Sequence, residues 1–266
     1  MGTQKKKMKQ KRKSRLGILQ AVLCMICMIS AAVFYRDYVL LPRQNRELVE
    51  NLKAQFPEEF PPGGDSPEQI REQAGKGMEV SVVDLRSLQN QYPNVRGWLT
   101  IPDTGIDYPV LQSSREDPEY YLRRNYRGDY DINGSLFLQA DCILGESRNL
   151  IIYGHNMNSG AMFGNLDQYA FHDYWKAHPK VFFQTLEGIE EYQIAAVLKA
   201  DVSMFDFQQV FQNTQEIEAY VDRAKALALF ETGVTGAGSE DVLTLITCSY
   251  EWKQARNILV AVKIGG

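Results

Sequence analysis

Cys248 closes the string Thr-Leu-Ile-Thr-Cys, residues 244–248, and Arg256 follows eight residues later. β-Branched residues and leucine lead straight into the cysteine, so the segment reads as a strand that delivers a thiol at its exit. A free thiol has a pKa of ~8.5 and is mostly protonated at neutral pH, so it needs a base or a cation nearby to act as a nucleophile. The chain holds three histidines, at 155, 172 and 178. His155 stands in Tyr-Gly-His-Asn directly after the apolar run Asn149–Tyr153. It therefore also sits at a strand exit, with Gly154 allowing a tight departure. A thiol, an imidazole and a guanidinium so arranged are the parts of a nucleophilic acyl-transfer site. The thiolate attacks a carbonyl, the imidazole moves a proton to the leaving amine, and the guanidinium steadies negative charge or orients substrate.

The elements that must position these groups can be read from the punctuation of the chain. Short β-rich runs cover 97–101, 106–111, 134–138, 149–153, 180–185, 190–202, 242–247 and 257–264, separated by turn residues. Eight strands with few helices indicate a mostly-β, barrel-like domain rather than alternating β/α units. If the last two strands pair antiparallel across the seven-residue connection 249–255, Cys248 and Arg256 meet at one end of the sheet. A short helix is expected over 84–91 and helical turns between 154 and 178. A longer helix over 214–232 starts at Asn213 with Glu216 three residues on, and carries Ile217, Tyr220, Val221, Ala224, Leu227 and Phe230 on one face.

Charge is distributed unevenly. Residues 1–15 contain eight Lys or Arg and no acid; removing these from the 29 basic residues leaves 21 against 33 acidic ones, a balance of −12 beneath an overall −4. From Leu16 to Tyr35 the chain is apolar except for Gly17, Gln20 and Ser30. Twenty helical residues rise ~30 Å, enough to cross the hydrocarbon core of a bilayer. The basic flank predicts a cytoplasmic N-terminus and an extracellular body. A cleaved signal peptide is the rival reading, against which the apolar run continues past Ser30-Ala31-Ala32. The expected layout is a basic tail (1–15), a transmembrane helix (16–35), a juxtamembrane helix after Pro42 with a Pro/Gly-rich spacer (36–78), and a catalytic domain (79–266).

The motifs Tyr-Gly-His-Asn (153–156), Thr-Leu-Ile-Thr-Cys (244–248) and Arg256, with Gly-Trp-Leu (97–99) and Thr-Gly-Ile-Asp-Tyr-Pro-Val (104–110), resemble the signature set of the sortases, cysteine transpeptidases of Gram-positive bacteria. The helical N-terminal part and the helix-bearing insertion before the catalytic strand resemble class B. The resemblance implies an eight-stranded sortase-type β-barrel with peripheral helices. It also implies that Cys248 is the nucleophile, His155 the general acid/base and Arg256 the oxyanion or substrate-positioning residue. The implied substrate is a surface protein with a C-terminal sorting signal, cleaved after a Thr through a thioacyl intermediate; the acceptor is an amine of a cell-wall precursor or of a pilin. Ile246 departs from the pattern, since many class B enzymes carry Ser there.

Other readings remain open at this point. The chain could be a membrane-tethered extracellular cysteine protease, or a non-catalytic tethered module with Cys248 bridged to Cys142. Cys24 and Cys27 lie in the apolar helix and read as packing. No cofactor and no metal is required by the residues found. Tyr120, Tyr121 and Tyr126 interleave with Arg123, Arg124 and Arg127, but an exported acidic body argues against nucleic acid, leaving packing and solvent-facing charge. His172 and His178 read as surface residues.

Overall fold

The computed structural model describes residues 2–57, 80–201, 205–248 and 255–264. The spacer expected before residue 79 and most of the 249–255 connection lie outside the described residues. The chain divides into two compact units, Met1–Gln44 and Asn45–Gly266. The first holds helix α1 (Gly2–Tyr35), a π turn (Arg36–Leu40) and the start of α2 (Leu41–Gln55), whose residues from Asn45 on belong to the second. Pro42 is the second residue of α2; it has no N–H to continue a regular ladder, and the wider turn lies directly before it. Apolar side chains from Ile18 to Tyr35 are exposed, and the helix is long and apolar enough to cross a membrane.

The second unit is an eight-stranded closed barrel. Its strands are β1 (Val95–Ile101), β2 (Ile106–Gln112), β3 (Leu136–Leu138), β4 (Asn149–Gly154), β5 (Lys180–Gln184), β6 (Ile189–Asp201), β7 (Val242–Cys248) and β8 (Ala255–Lys263). Their spatial order is β1-β2-β3-β4-β7-β8-β6-β5, closed by β5 on β1. β4 and β7 pair in parallel at its centre. Strands in such a position are covered on both faces, so their sequences run almost continuously apolar, as Leu150-Ile151-Ile152 and Val242–Ile246 do.

Peripheral helices pack on this barrel. α3 (Leu85–Gln91) is capped by Asp84, whose carboxylate accepts from Ser87 N at 3.0 Å. A 3-10 turn (Gly164–Ala170) and α4 (His172–Ala177) fill the connection between β4 and β5. α5 (Thr214–Ala226) starts as expected at Asn213, whose side chain accepts from Glu216 N at 3.0 Å, while Glu216 reaches back to Gln212 N at 2.9 Å. It ends six residues before the expected Thr232. Ala228 bridges to Leu198, Leu229 N donates to Val197 O, and the Thr232 hydroxyl donates to Ala195 O, so the edge of β6 captures the backbone the last turns would have used.

Two local devices hold the pieces in place. Asp107 on β2 accepts from Trp98 Nε1 at 2.6 Å, Thr100 Oγ1 at 3.1 Å and Ser81 Oγ at 2.6 Å, and pairs with Lys53 of α2. The carboxylate thus ties the segments preceding the barrel to its first hairpin. Gly134, at φ +63°, lets the β2–β3 connection fold onto itself: a Cβ there would lie 2.4 Å from the Leu122 carbonyl oxygen. Asp107→Ala is expected to lower unfolding free energy by about 2–3 kcal/mol through loss of hydrogen bonds to a charged acceptor, read as a lower urea midpoint with an unchanged slope. Gly134→Ala is expected to destabilise by more than the ~0.4–1 kcal/mol that the same change gains where the backbone is compatible, because φ is positive and the new methyl must displace Leu122; a denaturation midpoint equal to wild type would contradict this.

Candidate active site

The parallel ladder of β4 and β7 ends at the pair Gly154 and Thr247. His155 is thus one residue beyond the end of β4, beside the exit of β7 where Cys248 lies. On the other side of β7, Cys248 and Arg256 are direct antiparallel partners. Three neighbouring strands therefore bring all three sequence-predicted residues to one edge of the barrel. The Cys248 side chain lies outside the described residues, and Arg256 is half-buried.

His155 is 8% exposed, and its Nε2 is buried with no hydrogen-bond partner among the described residues. The Leu122 carbonyl lies beside the ring and favours its charged form. Burial pushes the imidazole below its ordinary pKa, the Arg123 guanidinium adds to that, and the Leu122 contact opposes it. The group is therefore a neutral base at pH 7. Phe163 N donates to the His155 carbonyl at 3.0 Å, fixing the backbone just past the strand.

The face carrying Arg256 also presents Ile258, Ile246 and Tyr153, which are successive ladder neighbours across β8, β7 and β4. Tyr153 stacks on Phe137 with ring centroids 5.6 Å apart and donates to Gln139 Oε1 at 2.8 Å. Burial pushes its phenol up to about 12, with the Arg256 charge acting in the opposite direction. Ile246 is 2% exposed and packs within this sheet rather than forming an open contact. Thr244, on the same face, bonds Asn149 Oδ1 at 2.8 Å and lies 3.3 Å from the Tyr220 hydroxyl, linking β7 to α5. The segment before α5 is drawn onto β4 as well: Gln209 O accepts from the amides of Arg148 and Asn149, and Asn149 Nδ2 donates to Gln208 O at 2.8 Å.

Residues outside this cluster have structural surroundings. Cys142 is a free, buried thiol near Asn149 O and Gln209 Oε1, and burial pushes it up to about 11, so it is protonated at neutral pH. His172 stacks on Trp175 and meets Phe230 edge-on, while His178 Nδ1 lies 3.1 Å from Pro102 O. Both are half-buried packing groups rather than simple surface residues. In the Tyr/Arg-rich connection, Arg124 covers Tyr120 at 4.2 Å and Arg127 covers Tyr126 at 5.3 Å. Sequence reasoning did not single out Leu122, and it read Arg123 as packing or solvent-facing charge, whereas both act on His155. Position 122 acts through a backbone carbonyl, which has no residue signature.

Comparison with known proteins agrees with this geometry. Residues 99–264 match the model of the sortase domain. Sortase B of Listeria monocytogenes is 36% identical over 171 residues, covering 63% of this chain and 68% of that protein. Its solved structure aligns at a TM-score of 0.57 with 33% identity, covering 68% of this chain and 99% of that one. The structure of Clostridium perfringens sortase B aligns at 0.61 with 26% identity, covering 68% and 100%. A closed eight-stranded barrel that gathers a cysteine, a histidine and an arginine at one edge, in a chain matched by this family model over more than half its length, leads to one conclusion: the chain belongs to the sortase family of cysteine transpeptidases, and within it to class B.

Proposed function

We propose that Cys248 is the nucleophile, His155 the proton carrier and Arg256 the substrate-orienting cation of a transpeptidase that cleaves a C-terminal sorting signal. The observation carrying this reading is the register: His155 follows the last residue of β4, Cys248 ends β7, and Arg256 stands opposite Cys248 at the start of β8. Neutral His155 takes the Cys248 proton as the sulfur attacks the carbonyl carbon of a Thr in the signal. It then gives that proton to the departing amide nitrogen as the C–N bond breaks. A thioacyl enzyme remains. An acceptor amine attacks it and passes its proton to His155, the C–S bond breaks, and His155 returns that proton to the leaving sulfur, which restores the thiol and the neutral imidazole. Arg256 steadies the oxyanion or the signal backbone.

In this reading residues 1–15 stay in the cytoplasm, 16–35 span the membrane, 36–78 supply a helix and reach, and 79–266 act outside the cell. The substrate is a secreted protein emerging through the same membrane, and the acceptor is an amine of the cell wall or of a pilin lysine. α5 and the segment leading into it wall the groove beside Tyr153 and Ile246.

A peptide library with one fixed Thr, incubated with the full chain and hydroxylamine as acceptor, is expected to give an acyl adduct on Cys248 by mass spectrometry and a hydroxamate product. Turnover that survives Cys248→Ala would remove the mechanism. Arg256→Lys is expected to cost at least about ten-fold in kcat/KM, since an ammonium cannot reproduce the planar fork of donors. Wild-type rates for that variant would take Arg256 out of the site. A lowered imidazole pKa keeps His155 neutral to more acidic pH, so the acid limb of kcat/KM is expected below 6.5. Arg123→Gln removes a repelling charge and is expected to move that limb upward; an unmoved limb would show that Arg123 does not act on His155.

A further inference from the structure

The β4–β7 ladder stops at Gly154, so sheet pairing no longer holds His155. The residue after it, Asn156, is buried and donates from Nδ2 to Asp167 Oδ2 at 2.9 Å. The residue after Arg256, Asn257, is also buried, and its Nδ2 donates to the other oxygen, Asp167 Oδ1. Asp167 sits in the 3-10 turn 164–170, between Leu166 and Tyr169, both fully buried. Tyr169 is fixed further by donating its hydroxyl to His178 O at 2.8 Å. One carboxylate on a pinned turn therefore grips the chain immediately after the histidine and immediately after the arginine. These two points lie on either side of the strand that ends in Cys248.

We propose that Asp167 is a positioning residue that sets the separation of His155 and Arg256 across β7, through its paired bonds to Asn156 and Asn257. The inference rests on the roles proposed above for Cys248, His155 and Arg256. Each carboxylate oxygen serves a different amide donor, so the arrangement has a definite polarity: two donors face one double acceptor. Asp167→Asn turns one side into donor against donor, releasing either the histidine loop or the arginine strand. Asn257→Asp alone turns the other contact into acceptor against acceptor. The double variant Asp167→Asn with Asn257→Asp restores both bonds, because the new amide oxygen accepts from Asn156 while its nitrogen donates to the new carboxylate at 257.

The test uses the full chain in detergent micelles, with a Cys248-acylating peptide from the fixed-Thr library and hydroxylamine as acceptor. Asp167→Asn is expected to lower kcat by about ten- to hundred-fold, the usual cost of displacing reacting groups by an ångström or less, with KM within about two-fold. A second readout needs no substrate: the His155 imidazole resonance, one of three histidine signals, is expected to titrate closer to 6.5 as its loop loosens and admits water. The double variant should return both kcat and titration toward wild type. A fall in thermal midpoint with unchanged kcat per folded enzyme and an unchanged His155 titration would overturn the proposal, leaving Asp167 a structural acid. Failure of the double variant to recover either readout would overturn it too. Cys248→Ala separates the two readings: turnover without the thiol rejects the catalytic roles themselves, whereas a dead Cys248→Ala beside a wild-type Asp167→Asn rejects only the positioning role.

Discussion

The parallel pairing of β4 with β7 is the constraint on which the site depends. Parallel neighbours exit at the same end of a sheet, so residues placed just past each strand must meet. An antiparallel β8 then returns the chain from that same end, which puts residue 256 opposite residue 248. Reversing either relationship would send one of the three groups to the far end of the barrel. The parallel ladder needs cover on both faces, and the closed barrel with α5 packed outside supplies it.

Electrostatics at this edge follows from burial. His155 loses water, gains a nearby guanidinium, and lies beside the Leu122 main-chain carbonyl. Each influence has a geometric source in the β2–β3 connection, where Gly134 allows the close approach that brings Leu122 and Arg123 into place. Tyr153 experiences the opposite pressure, since burial disfavours its anion, and it remains a phenol bonded to Gln139. The same polar edge is therefore assembled from a neutral base, a neutral phenol and a cation, with the buried thiol of Cys142 kept protonated nearby.

Much of the fold was legible because its elements carry strong local signals. The eight apolar runs appear as strands within a few residues of the expected limits, and Asn213 and Asp84 begin helices as capping chemistry requires. The helix from Thr214 is shorter than the 214–232 its apolar face indicates, because that face continues through Leu227 and Phe230 although the helical backbone stops at Ala226. The edge of β6 offers that backbone better partners. Likewise, Pro42 was expected to precede a new helix, whereas a π turn lets one continuous helical path pass it.

What the sequence by itself determined is the set of reactive types and the strand exits that carry them. A thiol, an imidazole and an arginine each stand next to an apolar β-run, and the basic flank and twenty-residue apolar stretch mark the first helix. Only the tertiary structure decided which strands are neighbours, that β4 and β7 run parallel, that Leu122 and Arg123 lie beside His155, and that Asp167 bonds the residues following His155 and Arg256. The reason is physical. Strand formation depends on side chains a few residues apart, but register and the reach of a backbone carbonyl or a single carboxylate depend on loop closure across tens of residues. Nothing in the string Gly-Asn-Leu-Asp-Gln-Tyr, residues 164–169, distinguishes Asp167 from an ordinary surface acid until Asn156 and Asn257 fold against it.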